Sequence, residues 1–239
     1  MNDKRLEYLD AMGIQAWERR APVAAPEIDG RGELEAHPST PPLKKGGRGD
    51  LGRGDSWNEL QAQAMACTAC ALHNGRTQAV FGVGSHQAQW MIVGEAPGAD
   101  EDRQGEPFVG RAGKLLNAML FAIGLKREEV YIANVVKCRP PNNRDPLPEE
   151  AAACETYLNR QIALLQPKVI LVVGRIAAHN LLKTGDTLGS LRGKRYSYAD
   201  TGIPVVVTYH PAYLLRSPRE KRKAWEDLQF ARRVFSGHP

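Results

Sequence analysis

The stretch Val130-Tyr131-Ile132-Ala133-Asn134-Val135-Val136-Lys137-Cys138 is apolar at odd and even positions alike through Val136, broken by one amide, and closes on a cysteine. A strand with one wet face alternates apolar and polar residues, so a run that is apolar in both parities reads as a strand covered on both sides. The same reading applies to Trp90 to Val93, Val169 to Val173 and Pro204 to Val207. Helical patterns follow or intervene at Lys114 to Ile123, Glu149 to Leu165 and Ile176 to Leu182,. Strands that alternate with helices predict an α/β chain folded as a three-layer α/β/α sandwich, with a central, mostly parallel four-stranded sheet. Ligands of such sheets bind beyond the carboxyl ends of the strands. The chemically suggestive segments of this chain all fall at such ends.

Upstream of Trp90 the text changes character twice. Residues 1–20 carry Leu6, Leu9, Met12, Ile14 and Trp17 near helical spacing and predict a short amphipathic helix,. Residues 21–55 are rich in Pro, Gly and charge, with Pro41-Pro42-Leu43-Lys44-Lys45-Gly46-Gly47, and read as a flexible basic linker,. A docking role with a protein partner for the first helix is left open. Ser56-Trp57-Asn58-Glu59 has the form of a capping box, so the catalytic-sized unit is expected over 56–239,.

The chain has 239 residues, 42% hydrophobic, and no apolar run of membrane-spanning length or leader-like start, which predicts a soluble cytoplasmic protein with no membrane partner,. It is expected to act as a monomer. The formal net charge of +5 makes a polyanionic partner plausible, because lysine and arginine release counterions when they meet phosphates, although many basic proteins bind no nucleic acid,.

The four cysteines fall as Cys67-x2-Cys70 and Cys138-x15-Cys154. In a reducing compartment this arithmetic favours one four-thiolate metal site closed by two distant segments over two disulfides. Cys67 and Cys70 are expected on a helix running Trp57 to Leu72, Cys138 behind the strand, and Cys154 on the helix that follows. One site would clamp three elements together.

Candidate ligand-binding groups cluster at three places. Gly94-Glu95-Ala96-Pro97-Gly98 and Gly105-Glu106-Pro107-Phe108-Val109-Gly110-Arg111-Ala112-Gly113 follow the first strand, and glycines there let backbone N–H groups approach a ligand,. Phe108 stands outside any core periodicity, either as a stacking face for a flat ring or as a loop anchor. Asn134 is an amide inside an apolar run, where an unpaired polar group costs about 1–3 kcal/mol. It needs a partner, which is either backbone or the donor–acceptor edge of a pyrimidine. His210, at the end of the last strand, is placed to donate to a developing anion, and Arg216 begins a dense run of positive charge that also suits a solvated helix face.

Taken together, Gly94-Glu95-Ala96-Pro97-Gly98, the Pro107-Phe108-Val109-Gly110-Arg111-Ala112-Gly113 loop, Asn134 four residues before Cys138, His210-Pro211-Ala212 and the cysteine set resemble the family 4 uracil-DNA glycosylases, the iron–sulfur branch of that superfamily. The resemblance runs from about Ser56 to the C-terminus. It implies a uracil-DNA glycosylase-like fold and a [4Fe–4S] cluster held by Cys67, Cys70, Cys138 and Cys154. It implies a uracil pocket of Gly94, Glu95, Ala96, Glu101, Phe108, Asn134 and His210, with Phe108 stacking, Asn134 reading the base edge, His210 contacting O2 and Glu101 filling space near C5.

On this reading His210, Asn134 and Glu95 are the catalytic set, Arg216 contacts DNA, and the partner is uracil-containing DNA. A monofunctional glycosylase is implied, leaving an abasic site for base-excision repair. The superfamily's best-known branch places a water-positioning aspartate where this chain has Ala96, and relatives that capture DNA covalently carry a histidine-containing insertion that Gly189 to Gly202 lacks. The competing classes are a non-catalytic metal-cluster DNA-binding protein, with zinc as one metal, and an iron–sulfur electron carrier. The long gap between the cysteine pairs opposes the first, and Asn134, Phe108 and His210 have no purpose in the second.

Overall fold

Residues 56–237 are described by the computed structural model, and six strands among them form one sheet. These are β1 (Val83–Gly84), β2 (Trp90–Gly94), β3 (Tyr131–Asn134), β4 (Val169–Val173), β5 (Arg195–Ser197) and β6 (Pro204–Thr208), in the order β1-β3-β2-β4-β6-β5. The four central strands are parallel, and β1 and β5 close the edges antiparallel. The expected parallel core is therefore present, widened by two short edges. Two residues of β1 are too few to show a period, and Arg195-Tyr196-Ser197 lacks the two-sided apolar character that marks the centre. The expected helix over 1–20 and the linker over 21–55 lie outside the described residues.

Because successive strand residues point to opposite faces, the sheet splits its side chains between two cores. Ile92, Ile132, Leu171 and Val206 pack against Leu116, Met119 and Leu120 of helix α3 (Arg111–Ala122) and Ala224, Leu228 and Ala231 of helix α8 (Lys221–Phe235). Val93, Ala133, Ile170, Val172 and Val207 pack against Leu158 and Ile162 of helix α4 (Pro148–Leu165) and Ala177 and Leu181 of helix α5 (Arg175–Leu182). The result is the three-layer α/β/α sandwich. Short helices α2 (Ala99–Gln104), α6 (Leu188–Leu191) and α7 (Pro211–Arg216) line its carboxyl rim. Among the described residues no helix is long and apolar enough to cross a membrane.

Helix α1 (Trp57–Ala66) starts with the expected capping box, in which Ser56 Oγ accepts from Glu59 N–H and the Glu59 carboxylate accepts from Ser56 N–H. Leu60 and Ala64 bury it against Phe81. It ends six residues before the expected Leu72. Cys67 adopts extended backbone at the C-cap, and Cys70 precedes a 3-10 turn over Ala71–Asn74. Ala66-Cys67-Thr68-Ala69-Cys70 contains no helix breaker, so nothing local announces the stop. A tertiary contact does it: Arg76 Nη2 donates to the Met65 carbonyl at 2.6 Å while Nη1 reaches Cys138 Sγ at 2.9 Å.

At the opposite side of the sheet one buried carboxylate ties β6 to α8. Asp227 accepts from Arg192 Nε and Nη2 at 2.7 and 3.0 Å and from Thr208 Oγ1 at 2.8 Å. The Arg192 guanidinium also lies over the Tyr209 ring, 4.5 Å from its centroid. Removing one partner of a buried pair strands the other charge. Asp227→Ala is expected to lower the unfolding free energy by about 3 kcal/mol, measured by urea denaturation against the parent protein.

Candidate active site

The carboxyl ends of the four parallel strands converge on one cavity of about 710 Å³. Glu95, Ala96, Glu101, Phe108, Asn134, His210 and Arg216 line it. Gly94, expected in the pocket, stands behind the lining rather than in it: the parallel register sets it opposite Asn134, and a Cβ on it would lie 2.5 Å from Asn134 Oδ1 and 2.7 Å from the Phe108 ring. Glycine is required here for close approach, since its φ is not left-handed. Asn134 is buried, and among the described residues its Oδ1 meets no hydrogen-bond donor. An acceptor without a protein donor in the interior is met by a water or by a ligand donor.

Phe108 and His210 line the same cavity as this amide. Their ring centroids are 5.5 Å apart at 31°. Phe108 has φ +56°, a left-handed conformation that few non-glycine residues adopt, so the surroundings must hold it,. Glu101 Oε1 accepts from the N–H groups of Val109 and Gly110 at 2.9 and 3.1 Å, while its Oε2 accepts from Gly98 N–H. From the other side Arg127 donates to the carbonyls of Phe108 and Pro107 at 3.2 and 2.5 Å. A Cβ on Gly113 would collide with the Phe108 carbonyl at 1.8 Å, so α3 enters directly beneath the loop. Glu101, read from the sequence as a space-filling group near the ligand, lines the cavity with both oxygens engaged by backbone.

His210 is the N-cap of α7, where its Nδ1 accepts from Ala212 N–H at 3.1 Å. That bond leaves the proton of a neutral imidazole on Nε2. Burial, with help from Arg216, pushes the ring's pKa down to about 4, against the pull of Glu101. The ring is therefore an uncharged donor at neutral pH. Burial and then Asp145 raise the Glu95 carboxyl above its usual range, while Arg175 and Arg216 oppose the shift.

Several lining residues carry no signal that sequence reading could use. Arg144, Asp145 and Arg175 come from the segment after Cys138 and from the start of α5. Arg144 grips Glu150 through two bonds at 2.8 and 2.6 Å, and Arg175 pairs with Asp145 at 3.2 Å. Tyr209 and Tyr213 stack at 5.2 Å on the remaining wall. Only the sheet order brings these segments beside Arg216.

This pocket can be set against known proteins. The family model described as Uracil DNA glycosylase superfamily matches residues 81–229. The chain is 46% identical over 181 residues to a type-4 uracil-DNA glycosylase of Archaeoglobus fulgidus, covering 73% of this chain and 91% of that one. It is 45% identical over 187 residues to one of Sulfurisphaera tokodaii, covering 75% and 85%. A third, of Thermotoga maritima, is 46% identical over 176 residues, covering 72% and 91%. The chain belongs to the type-4 group of the uracil-DNA glycosylase superfamily.

In this type-4 chain the four cysteines stand apart from the cavity and line a second, small pocket together with Lys137, His73 and Tyr157. Cys67 and Cys70 reach it from extended backbone, Cys138 from the loop after β3, and Cys154 from α4. Burial raises the Cys154 thiol to about 11, with Lys137 opposing, and also raises Cys138. Among the described residues no three His, Cys, Asp or Glu side chains form a ready site for a single metal ion.

Two outcomes test this geometry. Gly94→Ala is expected to leave a folded protein whose cavity no longer admits a planar base, read as loss of ligand-dependent stabilisation by free uracil in thermal melts. For His210 the pH dependence has a fixed sign. The unfolded imidazole titrates near 6.5 and the folded one at about 4, so between these values the unfolded state binds more protons. Stability is full above the upper value and is lost as pH falls towards the lower. Melts of the parent protein between pH 7 and pH 5 are expected to drop further than those of His210→Asn.

Proposed function

We propose that this protein excises uracil from DNA by hydrolysing the N-glycosidic bond, leaving an abasic site for base-excision repair. The observation that carries the reading is the bare Asn134 Oδ1, buried at the end of β3 beneath Phe108 and beside a neutral His210. Uracil offers an N3–H donor flanked by the O2 and O4 acceptors. The amide oxygen takes N3–H, the amide nitrogen gives to O4, and the Phe108 face covers the ring. Type-4 relatives across two-thirds or more of this chain are named for this substrate.

The base is inaccessible inside a duplex, so it must be turned out of the stack, at a cost of a few kcal/mol. Arg216 supplies positive charge for the flanking phosphates, whereas Arg144 and Arg175 on the same cavity are paired with Glu150 and Asp145,. As the C1′–N1 bond lengthens, negative charge gathers on uracil O2, where His210 Nε2–H donates. A neutral donor already in place needs no reorganisation as charge develops. Backbone N–H groups at Glu95 and Ala96 sit at the same end of β2. Ala96 offers no oxygen to orient water, so the Glu95 carboxyl and the phosphates of DNA stabilise the sugar cation until water adds to C1′. No lysine nucleophile enters the step, so the product strand stays intact.

The four thiols suit a [4Fe–4S] cluster. They are soft ligands around one small pocket, drawn from three separate segments, with Arg76 and Lys137 N–H groups directed at Cys138 and Cys154 sulfur,. When bound, such a cluster supplies cross-linking rather than redox chemistry, since hydrolysis moves no electrons. We assign catalysis to the unit that begins at Ser56, in a monomeric cytoplasmic protein. A binding protein without catalysis would have no use for a neutral donor placed to meet charge developing on a leaving group,.

The deciding experiment incubates the purified protein with a uracil-containing oligonucleotide and a thymine control, then cleaves abasic sites with alkali. Cleavage of the uracil strand alone is expected, and Asn134→Ala should slow single-turnover excision on the order of a hundredfold, the scale of losing two hydrogen bonds to the reacting base. Equal excision by Asn134→Ala would remove the amide from the pocket's chemistry.

A further inference from the structure

Lys137 is 1% exposed, although lysine is almost never buried so completely without a specific partner,. Its ammonium donates to the Asn134 carbonyl at 2.8 Å and to Gln161 Oε1 at 2.6 Å. Gln161, on α4, is itself fixed by donating Nε2 to the Phe81 carbonyl at 2.9 Å and to the Tyr131 hydroxyl at 3.0 Å. The Lys137 backbone N–H points to Cys154 Sγ at 3.3 Å, and Lys137 lines the thiol pocket. One residue therefore touches both functional regions.

The reason lies in the sheet edge. The peptide linking Asn134 and Val135 gives its N–H to the Gly94 carbonyl of β2 at 2.9 Å. In a trans peptide the Asn134 carbonyl then points the other way, towards β1. But β1 pairs only as far as Val83 with Ile132, and the chain beyond it bonds Val80 N–H to the Lys137 carbonyl. The Asn134 carbonyl has run past its neighbouring strand, and the Lys137 ammonium supplies the donor that a longer β1 would have given. A neutral donor would satisfy the carbonyl at less desolvation cost. A cation is favoured once the neighbouring cysteines carry the negative charge of a loaded site.

Resting on the uracil-pocket and cluster readings, we propose that Lys137 is a positioning residue for both sites. It holds the backbone that aims the Asn134 amide at a fixed distance from the helix carrying Cys154, and it offsets the negative charge of the loaded thiol site.

The test uses purified full-length holoprotein and two readouts other than excision: calorimetric binding of free uracil, and the rate at which iron is lost to a chelator. Lys137→Met is expected to weaken uracil binding on the order of tenfold, the loss of one hydrogen bond to a charged group, and to accelerate iron loss, with cooperative unfolding retained. A lowered melting temperature with both readouts unchanged means a merely structural lysine and overturns the proposal. A change in only one readout overturns the coupling. Should Lys137→Met fail to fold, Gln161→Met removes the bond on the helix side alone, and the same two measurements decide. A parent protein that binds neither uracil nor iron overturns the underlying reading, and this inference with it.

Discussion

The parallel pairing of β2 and β3 sets Gly94 opposite Asn134, and the geometry of the whole carboxyl rim depends on that register. It places a residue without a Cβ against an amide oxygen and a phenyl ring, with no space for any larger side chain. A slip of one residue would turn Asn134 to the other face and put Ala133 or Val135 over the cavity. The two cores pin the register from both sides, because Ile132 and Ala133 belong to opposite clusters and neither can be exchanged for the other.

Around that register the protein keeps features that cost stability locally. An unpaired buried acceptor is worth about 1–3 kcal/mol, and a non-glycine residue held in a sparsely populated backbone region about as much again. Asn134 and Phe108 are the two instances, and they face each other. Glu101 and Arg127 hold the Phe108 loop from opposite sides, so the strain is sustained by charged groups bonded to backbone rather than by loop packing alone. A site pre-formed in this way has little left to organise when a base enters.

The electrostatics divide along the same line. Arg216 brings positive charge to the cavity wall, where Arg144 and Arg175 are paired with Glu150 and Asp145, while His210 is kept neutral by burial and by Arg216 itself. On the proposed reading, positive charge attracts phosphate and an uncharged donor meets the leaving group. A second buried network, Asp227 with Arg192 and Thr208, fixes the strand end that carries Tyr209 and His210. The last helix thus contributes to the pocket without touching it.

Much of this was legible in the residues. Two-sided apolar runs announced the parallel strands, because burial on both faces suppresses alternation, and the amide inside one of them announced a group in need of a partner. The odd cysteine spacing pointed to distant segments meeting. The short edge strands were not legible, since two or three half-exposed residues carry no period, and the end of α1 was not, because Arg76 imposes it through space. Composition and local pattern determined which segments are strands, which are helices and which side chains are chemically out of place. Only the tertiary structure decided that Asn134 stays unpaired, that Phe108 is held left-handed by Glu101 and Arg127, and that Lys137 bridges pocket and thiols, because each depends on groups far apart in the chain whose meeting is set by sheet order and register.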